Sequence, residues 1–131
     1  MDEFLRNQID EMRAKKVALI HDYDKSQAVN SFLVNGERMW LDKATRVGLV
    51  NSTNVAKATG AENVTFWAND KSYTVPCDMM LQMLYALELY AMKCYNKTSE
   101  HIMNVRTLED LNRIYNYNYT KGYPKRLNFE V

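Results

Sequence analysis

Ser31-Phe32-Leu33-Val34-Asn35-Gly36-Glu37-Arg38-Met39-Trp40-Leu41 is the stretch whose reading decides the fold. Apolar and polar residues alternate on both sides of Asn35-Gly36. Asn-Gly supplies the two positive-φ residues of a type I′ hairpin, whose twist matches that of the flanking strands. A second ribbon follows: Asn63-Val64-Thr65-Phe66-Trp67-Ala68-Asn69-Asp70-Lys71-Ser72-Tyr73-Thr74-Val75, with Asn-Asp at its tip. Between the ribbons, Asp42 is a good N-cap for a helix running to about residue 59 and closed by Gly60. Its apolar stripe, Val47, Val50, Asn54 and Ala58, is modest. Gly48 costs about 1 kcal/mol against alanine, so packing must hold this helix.

After Pro76 comes the strongest helical signal, residues 78–95. It is apolar nearly all round through Met79, Met80, Leu81, Met83, Leu84, Ala86, Leu87, Leu89, Tyr90, Ala91 and Met92. Such a helix is central or covered on two sides. Asn96-Lys97-Thr98 predicts a break or bend, then a short helix through Ile102 and Val105. Thr107-Leu108-Glu109-Asp110 resembles a capping box, with Asp for Glu, opening a last turn or two through Leu111 and Ile114. Alternating Leu127, Phe129 and Val131 predict a closing strand.

The expected fold is α+β. Two β-hairpins form a small antiparallel sheet packed on the central apolar helix, with Phe32, Val34, Val64 and Phe66 facing it and Leu84, Leu87 and Ala91 buried. Residues 3–19 predict an N-terminal amphipathic helix with Leu5, Ile9, Met12, Lys16 and Leu19 at alternating spacings of four and three. The polar link His21-Asp22-Tyr23-Asp24-Lys25-Ser26 sets it apart, as residues 1–21, from an α+β domain of residues 22–131. This helix either lies on its own domain or pairs with a partner or a second copy. In the second case Lys16 would snorkel outward.

Seventeen basic against sixteen acidic residues leave a net charge of +1, which removes any global electrostatic case for nucleic acid or an anionic membrane. Lys121, Lys125 and Arg126 beside aromatic rings are weak support for single-stranded nucleic acid. The acidic, polar N-terminus does not read as a signal peptide. The most apolar stretch, residues 79–92, is interrupted by Gln82 and Glu88 and is too short to span a bilayer, so no membrane partner is expected. Cys77 and Cys94 begin and end one predicted helix, about 25 Å apart at 1.5 Å per residue. A disulfide needs less than about 7 Å, so both read as free thiols.

Reactive groupings are sparse. His21 and His101 are the only histidines, and neither has a second His or Cys at metal-ligand spacing. There is no glycine-rich phosphate loop, no nucleophile elbow and no zinc-protease helix. The chain therefore reads as a non-enzyme with no cofactor and no metal. Glu88, inside the apolar helix, is expected to face the least covered side or pair with an arginine such as Arg46. The competing reading is a small hydrolase using Glu88 with Asp22 or Asp24. Of the nine tyrosines, Tyr115, Tyr117, Tyr119 and Tyr123 cluster near the C-terminus. They either staple this segment to the core or, with Trp40 or Trp67 if exposed, form a contact surface for a protein or a glycan.

Several spaced blocks carry a family resemblance. They are Asp22-Tyr23-Asp24-Lys25-Ser26, Val29-Asn30-Ser31-Phe32, Met39-Trp40-Leu41-Asp42-Lys43-Ala44-Thr45-Arg46, Met83-Leu84-Tyr85-Ala86-Leu87-Glu88-Leu89-Tyr90-Ala91, Cys94-Tyr95 and Tyr117-Asn118-Tyr119-Thr120-Lys121-Gly122-Tyr123-Pro124. From Asp22 to the C-terminus the chain resembles a small domain of unknown function. That domain occurs in tailed bacteriophages, among tail and tail-fibre genes, and in prophages of Bacteroides-type bacteria. The resemblance implies a virion-associated structural or adaptor protein, made in the bacterial host cytoplasm. It would act by protein–protein contacts with other virion proteins or with itself as an oligomer. An assembly chaperone, or a glycan-binding or hydrolase module of the tail, is the alternative. The family carries no assigned catalytic residues. The contact residues expected here are Leu5, Ile9, Met12 and Leu19, with Tyr115, Tyr117, Tyr119 and Tyr123.

Overall fold

In the computed structural model, which describes residues 2–131, both turn signals have the backbone they require. Asn35 and Gly36 sit at φ 50° and 80°, and Asn69 and Asp70 at 53° and 61°. These two tips produce β1 (Phe32–Val34) with β2 (Glu37–Met39), and β3 (Asn63–Ala68) with β4 (Lys71–Pro76). The other elements are α1 (Glu3–Asp24), α2 (Lys43–Ala58), α3 (Cys77–Thr107), α4 (Leu111–Tyr115) and β5 (Asn128–Phe129). The fold is α+β, as expected.

The chain divides into two compact units. One joins residues up to Asn30 with Met92–Pro124; the other joins Ser31–Ala91 with Lys125–Val131. Helix α3 contributes its first half to the second of these and its second half to the first.

The hairpins do not share one sheet. β1 is the centre of a three-stranded sheet ordered β2-β1-β5, while β3 and β4 form a separate pair. β1 and β2 are antiparallel, with Phe32 opposite Met39. β1 and β5 are parallel, with Leu33 opposite Asn128. β5 takes the free edge of β1 through Leu33 N–H to the Leu127 carbonyl (2.9 Å) and Asn35 N–H to the Phe129 carbonyl (2.8 Å). Asn35 Oδ1 also accepts from Val131 N–H at 2.8 Å. Side chains, not a backbone ladder, link the hairpins. Asn69 Nδ2 donates to the Arg38 carbonyl at 2.8 Å. Tyr73 Oη donates to Glu37 Oε2 at 2.9 Å, and Lys71 Nζ to the same oxygen at 3.1 Å.

The core of this unit is one cluster: Phe32, Val34, Met39 and Leu41, Phe66 and Val75, and Met80, Met83, Leu84 and Leu87 of α3. Leu84 and Leu87 are fully buried, whereas Ala91 is only half-buried. Met79, Tyr85 and Leu89 are exposed, so α3 buries one face and is not covered all round.

α2 starts where Asp42 Oδ1 accepts from Thr45 N–H at 2.8 Å. Its inward face, however, carries Arg46 and Thr53 with Leu49 and Val50, while Val47, Asn54 and Ala58 are exposed. The apolar stripe was out of phase because two of the inward residues are polar.

In the other unit, Ile9 and Ile20 of α1 meet Val105 of α3 and Ile114 of α4. α1 continues through His21 to Asp24, so the polar link is partly helical and the sequence boundary at residue 21 falls inside a helix. α3 runs through Asn96-Lys97-Thr98 without the expected break. Thr107 closes α3 rather than capping the next helix. Asp110 is the N-cap of α4, its Oδ1 accepting from Asn112 N–H (2.9 Å) and Arg113 N–H (3.1 Å).

Candidate functional site

The predicted contact residues divide sharply by exposure. Ile9 is buried in its unit's core and Met12 half-buried at its edge, while Leu5 and Leu19 are exposed. Phe4, which the sequence reading passed over, is 68% exposed. Lys16 does not snorkel. Its Nζ donates to the Tyr115 carbonyl at 2.7 Å and lies 5.7 Å from the ring centroids of both Tyr115 and Tyr119. A cation buried this way is held by the carbonyl end of α4 and by two π faces. One turn earlier, Arg13 donates through Nη2 (2.6 Å) and Nε (3.0 Å) to the carbonyl of Leu108, just beyond the end of α3. The place of Lys16 on the helix seam was legible in the sequence, but its target was not.

Met12 and Tyr115, one from each predicted contact segment, converge on one open groove of about 320 Å³. Gln8, Glu11 and Lys15 of α1 and Leu111 and Asn112 of α4 complete its walls. This groove, with the exposed Phe4 and Leu5 on the same helix, is the candidate functional site.

The remaining tyrosines are spent on their own unit. His101 Nε2 lies 2.8 Å from the Lys121 carbonyl. A carbonyl only accepts, so Nε2 carries a proton. With neutral imidazole, Nδ1 then accepts from Tyr117 Oη at 2.6 Å, and Tyr117 Oη in turn accepts from Asn104 Nδ2 at 3.0 Å. The same logic orders a second chain. Thr98 Oγ1 donates its one proton to Asp24 Oδ1 at 2.8 Å, so Tyr123 Oη donates to Thr98 Oγ1 at 2.7 Å. Burial raises the Tyr123 pKa above its ordinary value, which keeps the phenol a donor. Tyr23 packs against the rings of Tyr119 and Tyr123 at 5.8 and 5.4 Å.

Of the three residues that predicted a break in α3, Thr98 is thus bonded to Tyr123 and to Asp24. Gly122, at φ +88°, passes so close to Lys97 that a Cβ would meet its Cε at 2.9 Å. Tyr115 is the exception among the four, with 68% of its surface exposed.

In the other unit, Glu88 pairs with Arg46, as its position suggested: Nε to Oε1 is 2.5 Å. Arg46 Nη1 also donates to the Leu41 carbonyl at 2.7 Å, and the guanidinium lies 5.2 Å from the Trp40 ring centroid. Trp40 is half-buried beside Phe32 and Tyr90. Trp67 is 70% exposed.

Glu37 is the other anchored acid. The Tyr73 hydroxyl, then the Lys71 ammonium, hold its pKa below the ordinary 4.5. A depressed carboxylate stabilises the fold above its unfolded pKa, and that contribution is lost as pH falls through the folded value. Wild-type and Glu37→Gln proteins should therefore differ in urea midpoint at neutral pH and converge below about pH 4.5. A difference that persists unchanged in acid would remove Glu37 as its source.

Among the described residues no three His, Cys, Asp or Glu side chains are grouped to hold a metal ion, and no helix is long and apolar enough to cross a membrane. Neither Cys77 nor Cys94 is in a disulfide, and both are buried. In comparison with known proteins, no family model, no curated protein and no solved structure matches the chain.

Proposed function

We propose that this chain is a structural or adaptor protein of a tailed-phage virion, in the tail or tail-fibre region. In this reading it is made in the host cytoplasm and works through protein–protein contacts without chemistry of its own. In this reading the unit that holds α1 supplies the attachment. The observation that carries the attachment is the convergence of Met12 and Tyr115 on one open groove, with Phe4 and Leu5 exposed on the same helix. The polar groups with the best claim to reactivity are engaged within the fold, Glu88 by Arg46, Asp24 by Thr98 and His101 by Tyr117. Fully burying one exposed apolar side chain against a partner is worth about 1.5–3 kcal/mol, so Phe4 and Leu5 would offset part of the cost of association and the groove would supply the rest.

Deleting residues 1–20 is a poor test, because it removes Ile9 and Ile20 from a core. The clean variant is Leu5→Asp with Glu11→Arg, both at exposed positions and the second on the groove wall, which should fold as wild type and fail to enter particles. Cross-linking mass spectrometry of purified virions should then join Lys15 to another tail component. A double variant incorporated at wild-type levels would reject the groove. A chain found only in assembly intermediates would be a chaperone.

A further inference from the structure

We infer that the outer face of the β3–β4 hairpin is a binding face for a neutral polysaccharide chain. Strand alternation puts Val64, Phe66 and Ala68, with Tyr73 and Val75, on the covered side. It puts Asn63, Thr65, Trp67, Ser72, Thr74 and Pro76 on the other, and all six are exposed. None of the six is charged, in a protein where a quarter of the residues are. Charges stand only at the ends of the ribbon, at Glu62, Asp70 and Lys71, and Lys71 is paired with Glu37.

Trp67 is the centre of this face. Its cross-strand neighbour is Ser72, too small to cover an indole, so the ring keeps an open side at 70% exposure. The next pair along carries hydroxyls: Thr65 Oγ1 and Thr74 Oγ1 are 2.7 Å apart. Whichever of them donates, the other keeps its O–H for a ligand. Same-face residues on a strand repeat at about 6.7 Å, and the strands lie about 4.8 Å apart. The result is an open strand face with an aromatic ring next to the turn and small hydrogen-bonding groups along it.

The charge pattern selects the occupant. Single-stranded nucleic acid also stacks on aromatics, but it needs cations tracking its backbone, and this face presents none. A dry interface with a second copy would bury hydroxyls and an amide at a cost of about 1–3 kcal/mol for each group left unsatisfied. A sugar chain matches both components. Its axial C–H groups meet the electron-rich indole face, and its hydroxyls both donate to and accept from threonine, serine and asparagine. An open strand face favours an internal stretch of polymer over a terminal sugar and gives a weak single site, with Kd on the order of millimolar.

This face and the α1 groove share no residue, so the inference does not rest on the virion reading, and each can fail alone. The test is ¹H–¹⁵N spectroscopy of the full chain, in which Trp40 and Trp67 give two indole N–H signals, assigned by losing one in Trp67→Ala. The protein is titrated separately with maltotetraose, chitotetraose and mannotetraose, and with an oligothymidylate. At least one sugar should move the Trp67 signal and leave Trp40 in place. Trp67→Ala should keep the wild-type thermal midpoint and weaken binding about tenfold or more. Thr65→Asp, which puts a charge on this face, should also weaken it. A Trp67 signal unmoved by all three sugars overturns the inference. So does one that moves with the oligonucleotide instead, or that follows protein dilution as a self-association would.

Discussion

Phe32→Ala should cost about 3–5 kcal/mol, the range for emptying an aromatic site in a core. Phe32 is 1% exposed and sits on β1, the strand flanked by β2 and β5. Its ring meets Trp40 at 6.2 Å and Phe129 at 5.9 Å, both edge-on. Removing it therefore opens a cavity and breaks the aromatic contact that ties β5 to the hairpin. β5 has only two residues, and the bonds that Leu33 and Asn35 make to this segment are what else holds it. Urea unfolding should show a lower midpoint. Loss of Leu33 and Asn35 amide protection should precede loss in α3. A cost below about 1 kcal/mol would mean that the site collapses freely and that the aromatic cluster does not organise this sheet.

Arg46→Ala should be the next most damaging, at about 2–4 kcal/mol. One guanidinium serves three directions: the Glu88 carboxylate, the Leu41 carbonyl and the Trp40 ring. Alanine leaves the carbonyl unsatisfied, the carboxylate unpaired and a void beside the indole. Glu88→Ala should cost less, about 1–2 kcal/mol, because the Glu88 side chain is 42% exposed and water already screens part of the pair. Lysine at position 46 cannot reach two acceptors with fixed divergent donors, so Arg46→Lys should recover only part of the loss. In a double-mutant cycle the pair should be coupled by about 0.5 kcal/mol or more. Strict additivity would show that Arg46 works through packing and the Leu41 bond alone.

Local features of the fold were legible in the sequence. Asn35-Gly36 and Asn69-Asp70 mark their turns because few dipeptides tolerate two successive positive φ angles. Asp42 marks the start of α2 because its carboxylate satisfies an otherwise orphan N–H. The Arg46–Glu88 pair could be anticipated because a lone acid on an apolar helix needs a partner.

What the sequence hid depends on distant chain. Alternation in residues 127–131 predicts a strand but cannot say that it runs parallel to β1. Asn96 and Thr98 read as helix breakers because their hydroxyl and amide groups compete for backbone. In the fold Thr98 bonds to Asp24 and Tyr123 instead, and the helix continues. For the candidate site, the periodicity found the right helix in α1 but not which of its residues the core would claim. Ile9 went inside, Lys16 followed it, and Met12 was left at the groove. Two of the four clustered tyrosines, Tyr117 and Tyr123, were drawn into the network on α3, because His101, Thr98 and Asn104 offered partners that no local pattern reveals, while Tyr119 packs on Tyr23 and Lys16 of α1.

Both units are discontinuous in the chain, and this governs how the protein can come to be folded. The Lys16–Tyr115 bond spans 99 residues and the Asn35–Val131 bond 96, so the two closures interlock along the sequence. During synthesis α1 must wait for residues near 115, and the β1 edge must wait for residues near 129. Loop-closure entropy rises only slowly with length, by about 0.6 kcal/mol per doubling, so the penalty falls on rate more than on final stability. While it waits, the nascent chain exposes Ile9, Ile20, Phe32 and Val34 together, which is the period in which a ribosome-associated chaperone or a premature partner would find it.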